Sequence, residues 1–182
     1  NLKGLVTDFA DGALQKTGNS LDVALTGDAF LTVQTPQGVR LTRDGSLTMN
    51  PQGLLVQANG NGLLLGDNGQ PIRIPAQAKA ITINERGQIS TDGKAVGRLG
   101  LAGVSRADQP VKVGDNLFAV RSLRPASATA SVRQGYLEGS NVSVVKEMIS
   151  MIATMRAYET NQKMLQAEDD ATGKAVNDVA KV

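Results

Sequence analysis

From Ser140 to Val182 the chain reads SNVSVVKEMISMIATMRAYETNQKMLQAEDDATGKAVNDVAKV, the one long stretch of the sequence with helical periodicity. Val144, Met148, Met151, Met155, Tyr158 and Leu165, then Val176 and Val179, recur every three or four residues. That spacing lays an apolar stripe along a helix. Ser140, Asn141 and Ser143 are candidate N-caps, none followed three residues later by Glu or Gln, so no capping box forms. Glu159 with Lys163 and Asp170 with Lys174 are oriented to pair across one turn. Gly173 interrupts the helical pattern at a cost of about 1 kcal/mol and marks a place to fray or kink. With no second helical pattern in the chain, the stripe's partner is expected to come from the preceding β region, from a missing piece of the same protein, or from another molecule.

That preceding region reads as short strands and turns. LDVAL (21–25) and AFLTVQT (29–35) flank Thr26-Gly27-Asp28, and VRLTR (39–43) alternates apolar and polar residues as a half-buried strand does. Asp44-Gly45 carries the composition of a type I′ hairpin turn. Further strands are expected at SLTM, LLVQ, LLL, IRI, AITI, QIS, VGRLGLAGV and NLFAV, separated by Asn-Pro-Gln-Gly, Asn-Gly, Gly-Asp-Asn-Gly, Asn-Glu-Arg-Gly and Thr-Asp-Gly. Arg121 to Gln134 is Ser/Ala/Thr-rich and polar, and reads as an extended or weakly ordered connector. The fold class is therefore mainly β: an all-β domain of short antiparallel strands, barrel- or sandwich-like, plus one long C-terminal helix. The expected division is a β-rich outer domain at 1–134, with the connector at 121–134, and a C-terminal helical assembly segment at 135–182.

Composition narrows the function. The 182 residues are 41% hydrophobic and 20% charged, a folded rather than disordered balance. Aromatics make up 3%, so the core must come from Leu, Val and Ile. Cys and Trp are absent and there is no His, which removes thiolate and imidazole catalysis and Cys/His zinc sites. Nineteen basic and seventeen acidic residues are interspersed, so despite a pI near 9.0 no nucleic-acid surface is indicated. No apolar run is long enough to span a membrane. The chain starts at Asn1 without Met or a signal peptide and is read as a fragment.

Paired carboxylates remain the one catalytic device open to this inventory. Asp28, Asp44, Asp67, Asp92 and Asp115 each lie next to or near a glycine, the ordinary chemistry of tight turns, so they are assigned to turns. Gly66-Asp67-Asn68-Gly69 lacks the alternating oxygen ligands and final Glu of a calcium loop, and no Gly-Lys-Ser/Thr supports a phosphate cradle. Met148, Met151, Met155 and Met164 suit a helix–helix seam, because the thioether chain adapts to irregular neighbours. Catalytic, cofactor-binding and metal sites are accordingly assigned to none.

Two runs carry a resemblance to a known family. QGYLEGSNVSVVKEMISMIATMRAYETNQKML is similar to the C-terminal signature of bacterial flagellar rod and hook proteins: Gly135, Leu137, Glu138, Ser140, Asn141 and Val142, then Met151, Ile152, Arg156, Ala157, Tyr158, Glu159 and Asn161. GDAFLTVQTPQGVRLTRDGSLTMNPQGLLV resembles that family's Gly-x-x-Phe, Thr-Arg-Asp-Gly and Gly-x-Leu-Val run, and the two occur in the family's order. The family's N-terminal Asn-Asn-Leu-Ala-Asn helix has no counterpart here. Within the family, the short β region suits a rod rather than a hook protein, and the compact connector and KAVNDVAKV tail favour the proximal-rod over the distal-rod type.

The resemblance implies a non-enzymatic subunit of the basal-body rod, polymerising helically through its terminal helix into the drive shaft that transmits torque. It implies export from the cytoplasm without a cleavable signal, by the flagellar type III apparatus, into a periplasmic rod. Its partners would be copies of itself, other rod and hook subunits, the export apparatus and the surrounding rings, with no nucleic acid and no membrane insertion. The assembly interface would comprise Asn141, Val142, Val144, Met148, Met151, Ile152, Met155, Arg156, Tyr158, Glu159, Asn161 and Leu165. Burying each large apolar side chain gains roughly 1.5–3 kcal/mol. Ordering each residue costs about 1–2 kcal/mol, so the helix is expected to gain its stability on assembly. An exported carboxylate-dependent glycoside hydrolase acting on peptidoglycan, or a non-flagellar scaffold β-domain, is the alternative.

Overall fold

The computed structural model describes residues 9–60, 62–104, 110–114, 116–120, 122–127 and 129–179, the last five of these as backbone. The chain forms two units, Asn1–Asn141 and Val142–Val182. The first is built of short strands: β1 (Leu14–Lys16), β2 (Val23–Thr26), β3 (Phe30–Thr35), β4 (Gly38–Thr42), β5 (Leu47–Met49), β6 (Leu55–Gln57), β7 (Leu63–Leu64) and β8 (Ile81–Ile83). There follow β9 (Gln88–Thr91), β10 (Lys94–Arg98), β11 (Leu101–Gly103), β12 (Val111–Gly114), β13 (Leu117–Ala119), β14 (Arg124–Pro125), β15 (Ser131–Gln134) and β16 (Tyr136–Glu138). The second unit is the helix α1 (Val144–Val179).

Nine strands share the largest sheet, in the order β12-β13-β4-β3-β7-β6-β5 with β11 and β14 branching from β3. Its order is open rather than closed, so sandwich-like is the part of the expectation that holds and barrel-like is not. A β10-β9-β8 meander and the pairs β1-β16 and β15-β2 complete the unit. The strand pairings are antiparallel among the described residues, as expected for an all-β domain of short strands.

The main core is aliphatic, as the shortage of aromatics requires: Val23, Leu25, Leu31, Val33, Leu47, Leu55, Leu64, Ile72, Ile74, Ile83, Ile89, Leu99 and Val132. A second cluster holds the phenylalanines. Phe30 and Phe118 join Leu41 and Ala102, with Phe9 against them. The three rings meet edge to face at 5.4 to 6.0 Å, the arrangement their quadrupoles favour.

Four expectations need correction. The segment read as a connector contains β15, whose Val132 is buried and whose four residues pair with β2. A polar composition concealed it, because Ser131 and Gln134 find partners there: Ser131 shares a 2.7 Å hydrogen bond with Thr26, and Gln134 donates to Ser20 and Ile81 carbonyls. Ile72-Arg73-Ile74 buries both isoleucines yet makes isolated bridges, Leu54 to Arg73 and Leu65 to Pro71, rather than a ladder.

Asp44-Gly45 does not close a hairpin: β4 pairs with β3 and β13, and β5 with β6. The Asp-Gly hairpin is at Asp92-Gly93, where both residues have positive φ, 50° and 79°, between β9 and β10. Finally, Glu159–Lys163 and Asp170–Lys174 form no ion pairs; the salt bridges among the described residues involve Asp11, Arg43 and Glu138, and Asp67 with Arg98. Exposed pairs gain too little to hold two long side chains in one geometry.

The helix begins where Ser143 caps it: its hydroxyl accepts from the Lys146 N–H at 3.4 Å, and its carbonyl from the Glu147 N–H at 3.0 Å. It continues through Gly173 to Val179 without a break.

Candidate functional site: an exposed helical seam and the clamp that precedes it

Every described side chain of α1, from Val144 to Lys174, is exposed. Val144, Met148, Met151, Met155, Tyr158 and Leu165 are 56–65% exposed. At 3.6 residues per turn they fall within an arc of about 100°. Soluble proteins rarely leave a contiguous apolar surface of this kind without a partner.

On an ideal helix the residues of the expected surface do not all share one face. Ile152 lies beside the stripe, and Val145 and Ile149, which the three-four spacing passes over, are 68% and 62% exposed and widen it in the first turns. Met164 belongs elsewhere: it sits about 160° round the helix from Met148. Arg156 and Asn161 are turned roughly 90–130° from the stripe's centre, and Glu159 lies at its border. Asn141 and Val142 precede the helix, and the Asn141 amide donates to the Ala10 carbonyl at 3.2 Å. Val176 and Val179 have side chains outside the described residues.

Just before the helix in sequence, a half-buried charge cluster holds the chain. Arg43 grips Glu138 bidentately, its Nε donating to Oε2 at 2.9 Å and its Nη2 to Oε1 at 3.1 Å. Nη2 also donates to Asp11 Oδ1 at 2.8 Å, and Nη1 to the Gly27 carbonyl at 3.1 Å. The guanidinium lies 5.8 Å from the centre of the Phe30 ring. Its planar fork reaches two carboxylates and the carbonyls of Phe9, Leu25 and Gly27 at once, which a lysine ammonium does not.

Burial, the largest influence on Arg43, favours its neutral form, but the hydrogen bonds and charges of Glu138 and Asp11 outweigh it and raise its pKa. For Asp11, burial pushes the carboxyl up; the Gly27 N–H and then Arg43 more than reverse this, leaving it below the ordinary value. Glu138 Oε1 in turn accepts from the Gly12 N–H at 2.9 Å.

Both sequence runs singled out above meet at this cluster. In Thr42-Arg43-Asp44-Gly45, the buried Thr42 hydroxyl donates to the Asn116 carbonyl at 2.9 Å and accepts from the Asp44 N–H. Gly45 lies so close to β2 that a Cβ would stand 1.7 Å from the Val23 carbonyl oxygen. From the other run, Glu138 closes on Arg43 while β16 pairs with β1. Sequence reasoning recorded these residues as motif members and missed their joint role. A cleft of about 450 Å³ lies here, lined by Phe9, Arg43, Asp44, Phe118, Leu137 and Glu138 among others.

Three of the aspartates considered for catalysis hold backbone N–H groups or a surface ion pair. Asp44 accepts from the Ser46 N–H, Asp92 from the Lys79 and Ala80 N–H groups, and Asp67 pairs with Arg98 at 3.7 Å. Asp28 is exposed beside Gly27, and Asp115 lies outside the described residues. No described helix is long and apolar enough to cross a membrane.

Comparison with known proteins gives two family matches. Residues 133–178 match the family described as flagellar basal body rod FlgEFG protein C-terminal, and residues 24–91 match the flagellar hook protein FlgE/F/G D1 domain. The flagellar basal-body rod protein FlgF of Caulobacter vibrioides is 36% identical over 98% of this chain and 74% of its own length. The rod protein FlgG of Bacillus subtilis is 31% identical over 94% of this chain and 70% of its own. FlgF of Rhizobium meliloti is 32% identical over 91% and 69%. Relatives of both names match at overlapping identities, so these comparisons do not separate the two types.

Proposed function

The chain belongs to the flagellar basal-body rod protein family, and on that premise we propose that it is held in the rod through the exposed face of α1. It is a structural subunit of the flagellar basal body and not an enzyme, and it assembles with other rod and hook subunits. Nothing in the family or the structure supports the glycoside hydrolase alternative.

The observation that carries the proposed seam is the exposed apolar arc from Val144 to Tyr158 on a single continuous helix. Its side chains gain burial when other helices cover them, and each contributes roughly 1.5–3 kcal/mol. Residues 1–134, in this reading, form the outer β-rich layer and 135–182 the assembly segment. The β boundary is better drawn after Glu138, since β16 pairs with β1. Coiled-coil pairing of the helix, type III export and contact with the surrounding rings belong to the same proposal and rest on family membership.

Its test is complementation of a rod-deficient strain with Tyr158→Asp. Loss of rods and motility is expected while the purified variant retains the thermal unfolding transition of its β unit. Normal motility would overturn the seam. We assign the chain to the proximal type on its KAVNDVAKV tail; rescue of a distal-rod deletion but not a proximal-rod deletion would reverse that assignment.

A further inference from the structure

We infer that Met148, Met151 and Met155 form a peroxide-sensitive modification site whose oxidation blocks association through α1. The inference rests on the seam proposed above.

Three observations carry it. The three thioethers are 56%, 59% and 58% exposed, so each sulfur is open to a small oxidant in the unassembled chain. They lie on one face, within an arc of about 60°, in the middle of the apolar stripe. Met164 is 66% exposed on the same helix but on its far side, an internal control built into the molecule.

The chemistry is a two-electron oxygen transfer. A lone pair of the Met sulfur attacks one oxygen of hydrogen peroxide, the O–O bond breaks, and an S–O bond forms. The other oxygen leaves as hydroxide and takes the transferred proton to become water. Sulfur is oxidised to the sulfoxide and the peroxide is reduced. The product is a polar, chiral group in place of a flexible apolar one. In a dry helix–helix contact each sulfoxide oxygen lacks a donor, and one such unpaired acceptor weakens association by a factor of about ten. Exposure is lost on assembly, so the site is vulnerable before incorporation and shielded afterwards.

The test uses the 182-residue chain, with and without hydrogen peroxide, in sedimentation equilibrium, with sulfoxides located by peptide mass spectrometry. Peroxide is expected to weaken association of the wild type and of Met164→Leu at least about tenfold. The triple variant Met148→Leu, Met151→Leu, Met155→Leu keeps the apolar face and is expected to resist. A methionine sulfoxide reductase is expected to restore the treated wild type. Sulfoxides at the three positions with unchanged association, or equal loss in the triple variant, would overturn the inference and leave the seam standing. Absence of any association in the untreated chain would overturn the seam, and this inference with it.

Discussion

Arg43 and Glu138 are joined by two hydrogen bonds, at 2.9 and 3.1 Å, with side chains 13% and 12% exposed. They lie in different sequence signatures, and the clamp closes the fold across nearly the whole β unit. Removing one partner strands the other charge in a poorly solvated place, which typically costs about 3–5 kcal/mol. Arg43→Ala is expected to lower the unfolding free energy by about that much in urea titrations. Arg43→Lys should recover part of the loss, because it restores the charge without the fork. A loss below about 1 kcal/mol for Arg43→Ala would show that the cluster does not hold the unit together.

The same cluster sets a pH dependence. Asp11 has a folded pKa below its ordinary 3.8. The stability it contributes is therefore complete above the unfolded value and lost as pH falls through the lower folded value. Its side chain is 45% exposed, so the contribution is screened by solvent and falls with added salt. Wild type and Asp11→Asn are expected to differ in urea midpoint at neutral pH, and to converge once pH drops below the folded pKa. A difference that persisted unchanged into acid would exclude the Asp11 charge as its source.

Two Asp-Gly pairs give opposite forecasts for the same substitution. At Gly93, φ is 79° and the position a Cβ would take is open, so Gly93→Ala should cost about 1–2 kcal/mol through backbone conformation alone. At Gly45 the obstacle is steric: the Cβ would lie 1.7 Å from the Val23 carbonyl oxygen. Gly45→Ala is expected to cost at least about 3 kcal/mol, read from thermal or urea unfolding. Equal effects at the two positions would contradict the close approach of the Thr42–Gly45 run to β2.

These two pairs also show where sequence stops being sufficient. Asp-Gly composition names a turn, and at Asp92-Gly93 the flanking strands β9 and β10 pair with each other and make it a hairpin. At Asp44-Gly45 the local pattern is the same, but β2 claims the backbone: the Val23 N–H donates to the Gly45 carbonyl at 3.0 Å. Strand class, the aliphatic core and the single helix were legible because alternation and 3.6-residue periodicity are local properties. The Arg43–Glu138 pair was not, since neither residue's neighbours reveal a partner so far along the chain. β15 was hidden for a related reason: its one core residue, Val132, sits among polar residues satisfied by distant backbone. The helix stripe was legible as a pattern, whereas its full exposure is a property of the folded chain.

Gly173 lies inside α1 with nothing within 4 Å of where a Cβ would be. Gly173→Ala should thus remove the entropic cost of glycine, about 1 kcal/mol, without a clash. An increase in helical circular dichroism is expected, with the unfolding of the β unit unchanged. A fall in helicity would show that glycine is required at this position.

The helical face itself is tested by placing one charge on either side of it. Met155 and Met164 have similar exposure, 58% and 66%, so neither substitution by Asp should disturb the folded chain. They point to faces roughly 180° apart on an ideal helix. A carboxylate at Met155 would be enclosed by apolar neighbours on association, with no donor to replace its water. That is expected to weaken association by about 100-fold or more, corresponding to roughly 3 kcal/mol. A carboxylate at Met164 remains outside an interface confined to the stripe, and association should change by less than about threefold. The measurement is sedimentation equilibrium of both variants beside the wild type, with circular dichroism to confirm that each retains its helix. Equal weakening by the two would mean that α1 is enclosed on all sides, and the seam would have to be redrawn around its whole circumference.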